Sequence, residues 1–363
     1  MIIISAPSRY VQGPGVLDQL GSELARLGPR ALVVLDAGIR QSVQGRIEAS
    51  LAAAGVALRF AHFAGEVTVA NIAGLTAQAQ GQGPGAGVAP DVVVGVGGGK
   101  ALDAAKAVAL HFRARYASVP TIASTDAPAS FSAAIYNDAH EMVEVRQLPR
   151  NPELVLVDTA VVTGAPLRFL RAGIGDAISK KFEAQACVAA KANTLHGTPA
   201  SHTGLMAAEL CFTLIQRHGA LALAAIAAGK LNDDVEALVE ATTLLSTLSF
   251  ENGGLSIAHA MARGLPMVPR AAGSLHGEHV AYGLLVQLVL EDRPAAEVAE
   301  VLSLYRALGL PQRLAEMQLP DITPAEMQQL LDGALGSPSL KRFVRVLTAA
   351  DLRAAIARVE AGL

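Results

Sequence analysis

Apolar and polar positions follow two different rhythms along this chain. Through the first 160 residues, short continuous runs of valine, leucine and alanine alternate with stretches of 3.6-residue spacing. The runs predict strands at 31–35, 56–60, 92–94, 118–119 and 154–157, and the spacing predicts helices at about 15–27, 38–54, 69–80 and 100–113. Strands that are apolar at every position, with helices between them, belong to a parallel sheet covered on both faces. The glycine-rich stretch 81–87 reads as a flexible surface connection. Beyond Thr163 the strand signals stop, and long alanine- and leucine-rich segments with helical spacing follow, with glycines at their ends. The pattern predicts an α/β parallel-sheet domain over 1–162 and an all-helical domain over 163–363.

Composition narrows the class. A chain of 363 residues is long enough for about two domains and for large cores. With 52% hydrophobic and only 17% charged residues it is not a disordered chain. The net charge is −3, and lysine and arginine are scattered, so no basic groove for nucleic acid is expected. The longest apolar run near the middle, 220–228, is far shorter than the roughly 20 residues that cross a bilayer. The start, Met1-Ile-Ile-Ile-Ser5, lacks the basic n-region and apolar length of a signal peptide. Cys187 and Cys211 sit in apolar helical surroundings and read as small core residues. A cytoplasmic protein with no membrane partner is the expectation.

The most informative junction is Gly97-Gly98-Gly99-Lys100, where an apolar strand runs into a helical pattern. Glycines let backbone amides approach a ligand with no Cβ in the way. The helix that follows aims unpaired N–H groups and a partial positive charge at the same place, which favours a phosphate. Lys100 opposes that dipole unless an anion is bound there. The alternative is a glycine-rich βα turn that binds nothing. Asp36 ends the strand at 31–35, where a carboxylate can accept both hydroxyls of an adenine ribose, or can be an ordinary turn aspartate. It lies 61 residues before Gly97, whereas the common dinucleotide fingerprint puts the acid about 20 residues after its glycines. Neither G-x-G-x-x-G nor a P-loop is present, so a simple Rossmann unit is excluded.

In the helical half, Asp176, His259 and His276 each lie on an otherwise apolar stretch. An unpaired carboxylate or imidazole so placed costs several kcal/mol, so each needs a partner. One divalent cation would satisfy all three and keep an open coordination position, as catalytic zinc does. The separations of 83 and 17 residues do not distinguish this from satisfied core polar residues and helix caps.

Longer motifs carry a resemblance. These are Gly97-Gly-Gly-Lys-Ala-Leu-Asp-Ala-Ala-Lys106, Pro120-Thr-Ile-Ala-Ser-Thr-Asp-Ala-Pro128, Asn151-Pro-Glu-Leu-Val-Leu-Val-Asp158, Ala172-Gly-Ile-Gly-Asp-Ala177, Gly253-Gly-Leu, Ala258-His-Ala260 and His276-Gly-Glu. To about residue 320 the chain resembles the glycerol dehydrogenases, in the metal-dependent alcohol dehydrogenase family often called iron-containing. The resemblance implies a dehydroquinate synthase-like architecture and NAD-dependent, metal-assisted oxidation of a small polyol. It implies Asp176, His259 and His276 as ligands of a divalent ion, usually Zn2+. Gly98, Gly99, Lys100 and Asp103 would line the pyrophosphate and nicotinamide side of NAD, with Asp36, Thr121 and Ser124 at the adenosine end. Ser130 and Tyr136 would stand near the nicotinamide, with Ser132 also on the cofactor. Asp126 would contact substrate hydroxyls as the catalytic carboxylate. Lys180 stands four residues after Asp176, where iron-type members place a further ligand histidine, which favours the three-ligand zinc branch. The family also implies a homo-oligomer.

Three segments depart from the family pattern. Its His-Asn after the first ligand histidine is Ala262-Arg263, its helix-start lysine is His279, and its Gly-Glu-Thr-Ile-His-Asn segment is Gly336-Ser-Pro-Ser-Leu-Lys341. Arg263 narrows the pocket or offers a cation to an acidic substrate. Competing readings are a reductase of 2-oxo acids or small ketones, and a catalytically impaired NAD-binding homologue. A sugar-phosphate cyclase would need a cluster of lysine and arginine that the helical half lacks.

Overall fold

A computed structural model describes residues 1–81, 87–138 and 142–363. Most of the connection expected at 81–87, residues 82–86, lies outside the described residues. The chain divides into two compact units. One is Ser5–Ala123 with Ala127–Pro166, and the other is Leu167–Leu363 with Met1–Ile4 and Ser124–Asp126.

The first unit contains β1 (Tyr10–Gly13), α1 (Leu20–Ala25), β2 (Arg30–Asp36), α2 (Arg40–Ala53), β3 (Ala57–Phe63), α3 (Val69–Gly81), β4 (Val92–Gly97), α4 (Gly99–Phe112) and β5 (Arg115–Pro120). It continues with β6 (Ser132–Tyr136), β7 (Met142–Gln147), β8 (Leu154–Asp158) and α5 (Thr159–Thr163). Six strands form one sheet in the order β1-β8-β5-β4-β2-β3, and every pairing in it is parallel. The central strands are the continuous apolar runs: all six residues of β4 are buried, as are five of the seven in β2. Their side chains leave no face for solvent, as a sheet covered on both sides requires.

Some elements differ from the pattern-based expectation. The helix expected at 15–27 is a 3-10 turn, Val16–Gln19, followed by the six-residue α1. β1 was not expected, being only four half-buried residues at the sheet edge. The antiparallel pair β6–β7 also was not, because β7 is largely exposed and polar, without the apolar run that marks a core strand.

The second unit is helical: α6 (Leu167–Ala189), α7 (His202–Ala227), α8 (Asp233–Glu240), α9 (Ser246–Gly253), α10 (Ile257–Gly264), α11 (His276–Leu290), α12 (Ala295–Leu308), α13 (Pro324–Leu335) and α14 (Ala349–Ala361). A π-helical turn, Ala241–Leu245, joins α8 to α9. The 26 residues of α7 are long and apolar enough to cross a bilayer by length and composition, although no single uninterrupted run in it is. This helix packs along α6, α8 and α9.

Helices α6, α10 and α11 meet through glycines. A Cβ on Gly277 would stand 1.7 Å from the carbonyl oxygen of Ala172, and one on Gly283 would stand 2.4 Å from that of Ala258. The backbones of α6 and α10 therefore approach α11 closer than any side chain would allow. The contact at Gly277 brings Asp176, one turn along α6 from Ala172, against His276 at the first residue of α11.

Candidate metal and substrate site

Asp176, His259 and His276 come from three helices, and one ligand atom of each lies within 4.8 Å of the others. Asp176 is fully buried, His259 half-buried and His276 exposed. The separation between Asp176 Oδ1 and His259 Nε2 is 3.3 Å. Two ligands bound about 2.1 Å from a tetrahedral ion stand about 3.4 Å apart, so this pair already has the spacing of one edge of a zinc polyhedron.

Glu183 fixes which imidazole nitrogen faces the cluster. Its Oε2 accepts a hydrogen bond from His259 Nδ1–H at 2.7 Å, and Oε1 accepts from the amides of Ser256 at 2.7 Å and His259 at 3.0 Å. Nε2 is left pointing at Asp176. Burial alone would lower the pKa of His259, but the Glu183 carboxylate outweighs it and the value rises to about 9. Burial likewise works against the charge on Asp176, yet Lys180 and the two histidines hold its carboxyl far below the usual range.

Sequence reasoning passed over Glu183 and missed what Lys180 touches. Asp176, Lys180 and Glu183 fall at i, i+4 and i+7 on one face of α6. Three charges in that register, interleaved with the apolar residues of one helix face, were the available signal. Lys180 is fully buried, with Nζ 2.5 Å from Asp176 Oδ1, 3.0 Å from Asp126 Oδ2 and 3.2 Å from His259 Nε2. Asp126 is held by its backbone: its amide lies 3.3 Å from Asp176 Oδ2, and its carbonyl accepts from Thr247 Oγ1 at 2.7 Å. The π-helical turn just before Thr247 sets the register of that hydroxyl, a frequent place for such turns. The result is a carboxylate, Asp126, fixed beside three convergent metal donors.

The other predicted residues lie in the α/β unit, apart from Ser124, which groups with Asp126. Strand order reverses between β2 and β4, since β3 lies on one side of β2 while β4 and β5 continue on the other. In open parallel sheets ligands bind outside the carboxyl ends of strands at such a switch point. Asp36 ends β2 and Gly97 ends β4, so residues distant in sequence are neighbours here. A Cβ on Gly97 would meet the Cβ of Asp36 at 2.8 Å. Gly98 is the N-cap of α4 and supplies no capping side chain, and Gly99 opens the helix. The Thr121 amide donates to the Gly97 carbonyl at 3.0 Å, and its buried hydroxyl has no hydrogen-bond partner among the described residues. An open helix N-terminus beside an orphaned hydroxyl fits a dinucleotide.

The remaining residues have partners of their own. Lys100 is exposed and ion-paired to Glu66 at 2.7 Å. Asp103 accepts from Lys106 Nζ and from the amide of Ala134, both at 3.0 Å, and Lys106 also donates to the carbonyl of Ser132. Ser130 Oγ accepts from the Ser132 amide, while the Ser132 hydroxyl is buried without a partner among the described residues. Burial, then Asp103 and Glu66, push the Tyr136 hydroxyl up to about 12. Of the departures from the family pattern, Arg263 is exposed and His279 is buried, with burial taking its imidazole down to about 4.

Comparison with known proteins gives the site its context. The family model described as iron-containing alcohol dehydrogenase matches residues 7–159. A glycerol dehydrogenase of Escherichia coli O6:H1 is 41% identical over 335 residues, covering 92% of this chain and 89% of that protein. One from Thermotoga maritima is 40% identical, covering 90% and 88%. The crystal structure of a probable glycerol dehydrogenase from Sinorhizobium meliloti 1021 superposes with a TM-score of 0.92 at 38% identity, covering 100% of this chain and 99% of that one. With fold, motifs and relatives in agreement, this chain belongs to the iron-containing alcohol dehydrogenases, a family of metal-dependent enzymes that use NAD.

Proposed function

We propose that this enzyme oxidises glycerol or a related small vicinal diol to the ketone, reversibly, with zinc as its ion and NAD as hydride acceptor. The observation that carries the reading is the convergence of Asp176, His259 and His276 within 4.8 Å, with the Asp126 carboxylate fixed next to them. In this reading those three residues hold the ion, in the helical domain. Asp36, Thr121 and Ser124 hold the adenosine end of NAD, and Gly98, Gly99, Lys100 and Asp103 line its pyrophosphate and nicotinamide side. Ser130 and Tyr136 stand near the nicotinamide, and Ser132 also contacts the cofactor. When bound, the ion supplies Lewis-acid polarisation of the substrate hydroxyl and NAD takes up the hydride.

The chain's own residues do the rest. Glu183 keeps His259 in the tautomer whose Nε2 faces the ion. Asp126 accepts a hydrogen bond from the second hydroxyl of the diol, orienting the carbon that loses hydride. Its backbone, anchored by Thr247, lets that carboxylate act without reorganising. Two buried thiols without disulfides support a cytoplasmic location. Exposed Met206, Leu210 and Leu221 along α7 support assembly of several copies of the chain.

The test is NADH formation by the zinc-loaded enzyme on glycerol, 1,2-propanediol, 1,3-propanediol and ethanol. Vicinal diols are expected to exceed the other two at least tenfold in kcat/KM. Equal rates would remove the role given to Asp126. A second reading, reduction of 2-oxo acids, is favoured by Arg263, which is exposed one turn after His259 on α10 and has no ion-pair partner among the described residues. NADH consumption with a 2-oxo acid, lost in Arg263→Ala, would select it.

A further inference from the structure

We propose that Lys180 is an internal cation that occupies the metal donors and is displaced from them by the divalent ion, retreating onto Asp126. The inference rests on the assignment of Asp176, His259 and His276 as ligands.

The geometry makes the two cations mutually exclusive. Lys180 Nζ lies 2.5 Å from Asp176 Oδ1 and 3.2 Å from His259 Nε2, the atoms an ion would bond at about 2.0–2.2 Å. Nζ stands between these two atoms, in the space the ion would fill, so the ammonium and the ion cannot both occupy it. The ammonium has somewhere to go, because Asp126 Oδ2 is already 3.0 Å from Nζ. The ring of Phe250, with its centroid 5.6 Å away, faces the same charge.

Charge explains why a lysine is present at all. Asp126, Asp176 and Glu183 bring three carboxylates into a space where Asp176, Lys180 and Glu183 are all fully buried. Without a metal, the Lys180 ammonium lies among them, 2.5 Å from Asp176 Oδ1 and 3.0 Å from Asp126 Oδ2. Uncompensated buried charge is strongly destabilising, so a resident ammonium keeps the donors assembled until an ion arrives. The flexible four-carbon stem of lysine allows the movement between two sets of acceptors. The consequence is that zinc binding must overcome a competitor built into the chain.

The test measures zinc affinity of the metal-free full-length protein by competition with a chelating dye. Lys180→Met and Lys180→Gln are expected to bind zinc at least tenfold more tightly than wild type. Lys180→Gln keeps hydrogen-bonding capacity in the buried site and serves where the methionine variant does not fold. Removing zinc should also lower the melting temperature of either variant more than that of wild type. Asp126→Asn takes away the retreat, so it should weaken zinc binding in the wild-type background and leave it unchanged in the Lys180→Met or Lys180→Gln background. Zinc affinity that is unchanged or weaker in the lysine variants overturns the proposal, as does equal weakening by Asp126→Asn in both backgrounds. Either result leaves the metal assignment standing as long as wild type binds one zinc. A wild-type chain that takes up no zinc overturns both.

Discussion

Glu183 Oε2 accepts a hydrogen bond from His259 Nδ1–H at 2.7 Å, while Oε1 of the same carboxylate accepts from the backbone amide of His259 at 3.0 Å. One buried side chain thus fixes both the ring and the helix start that carries it. Ser179 Oγ, 3.1 Å from Oε2, completes the shell. Burial would raise the Glu183 carboxyl, but His259 and Lys180 hold it below its usual value, so it is an anion in place. A carboxylate behind a metal-binding imidazole orients the ring and makes it more basic.

Glu183→Gln therefore tests a positioning role without removing a ligand. The amide keeps the shape but loses the negative charge, and metal affinity is expected to fall about 10–100-fold. Metal content after dialysis against graded chelator measures this. The kcat of fully loaded enzyme should fall much less than the affinity.

Replacement of Asp176 removes the anionic ligand itself. Asp176→Ala is expected to lose stoichiometric zinc and turnover together. The substitution also takes the nearest acceptor from Lys180, at 2.5 Å, so the metal-free variant should melt below wild type. Full activity in this variant would mean that the metal is bound elsewhere.

The sequence made parts of this legible for definite reasons. β2 and β4 are buried on both faces, so each is an unbroken apolar run and can be read without a structure. Among the described residues β7 pairs only with β6, and it exposes Val143 and Val145, so it lacks the unbroken apolar run of a core strand. Asp176 and His259 were legible because a polar group on an apolar face needs a partner. Glu183 was passed over because a glutamate on a helix ordinarily faces water, whereas here it is fully buried. The separation of Asp36 from Gly97 looked anomalous along the chain. It disappears once β2 and β4 are adjacent, because parallel pairing brings Leu35 opposite Val96 and leaves the two residues side by side at the strand ends.

Asp36 is also the handle on cofactor choice. Its Oδ1 caps the turn at Gly38, accepting that amide at 2.9 Å, so an apolar substitution would damage the local fold. Serine retains the cap and removes the charge that repels a 2′-phosphate. Asp36→Ser is expected to keep its melting temperature within a few degrees and to shift the kcat/KM ratio toward NADP by about tenfold, or 1.4 kcal/mol. An unchanged ratio would place the adenine ribose away from β2.

The glycine turn separates a folding requirement from a binding one. Gly97 has φ +152°, and a Cβ there would meet those of Ala101 at 2.6 Å and Asp36 at 2.8 Å, both rigidly attached to backbone. Gly97→Ala is thus expected to cost about 1–3 kcal/mol of stability, read as a lowered urea midpoint. Gly98 has ordinary φ, and its added Cβ would meet only the side chain of Ile122, Cδ1 at 2.8 Å and Cγ1 at 3.2 Å, which a rotamer change can move. Gly98→Ala should therefore melt near wild type. Its methyl group nonetheless sits at the open N-terminus of α4, where a pyrophosphate would approach the amides. NADH titrated by fluorescence should bind this variant at least tenfold more weakly. Wild-type affinity in a stable Gly98→Ala protein would move the dinucleotide away from the β4–α4 turn.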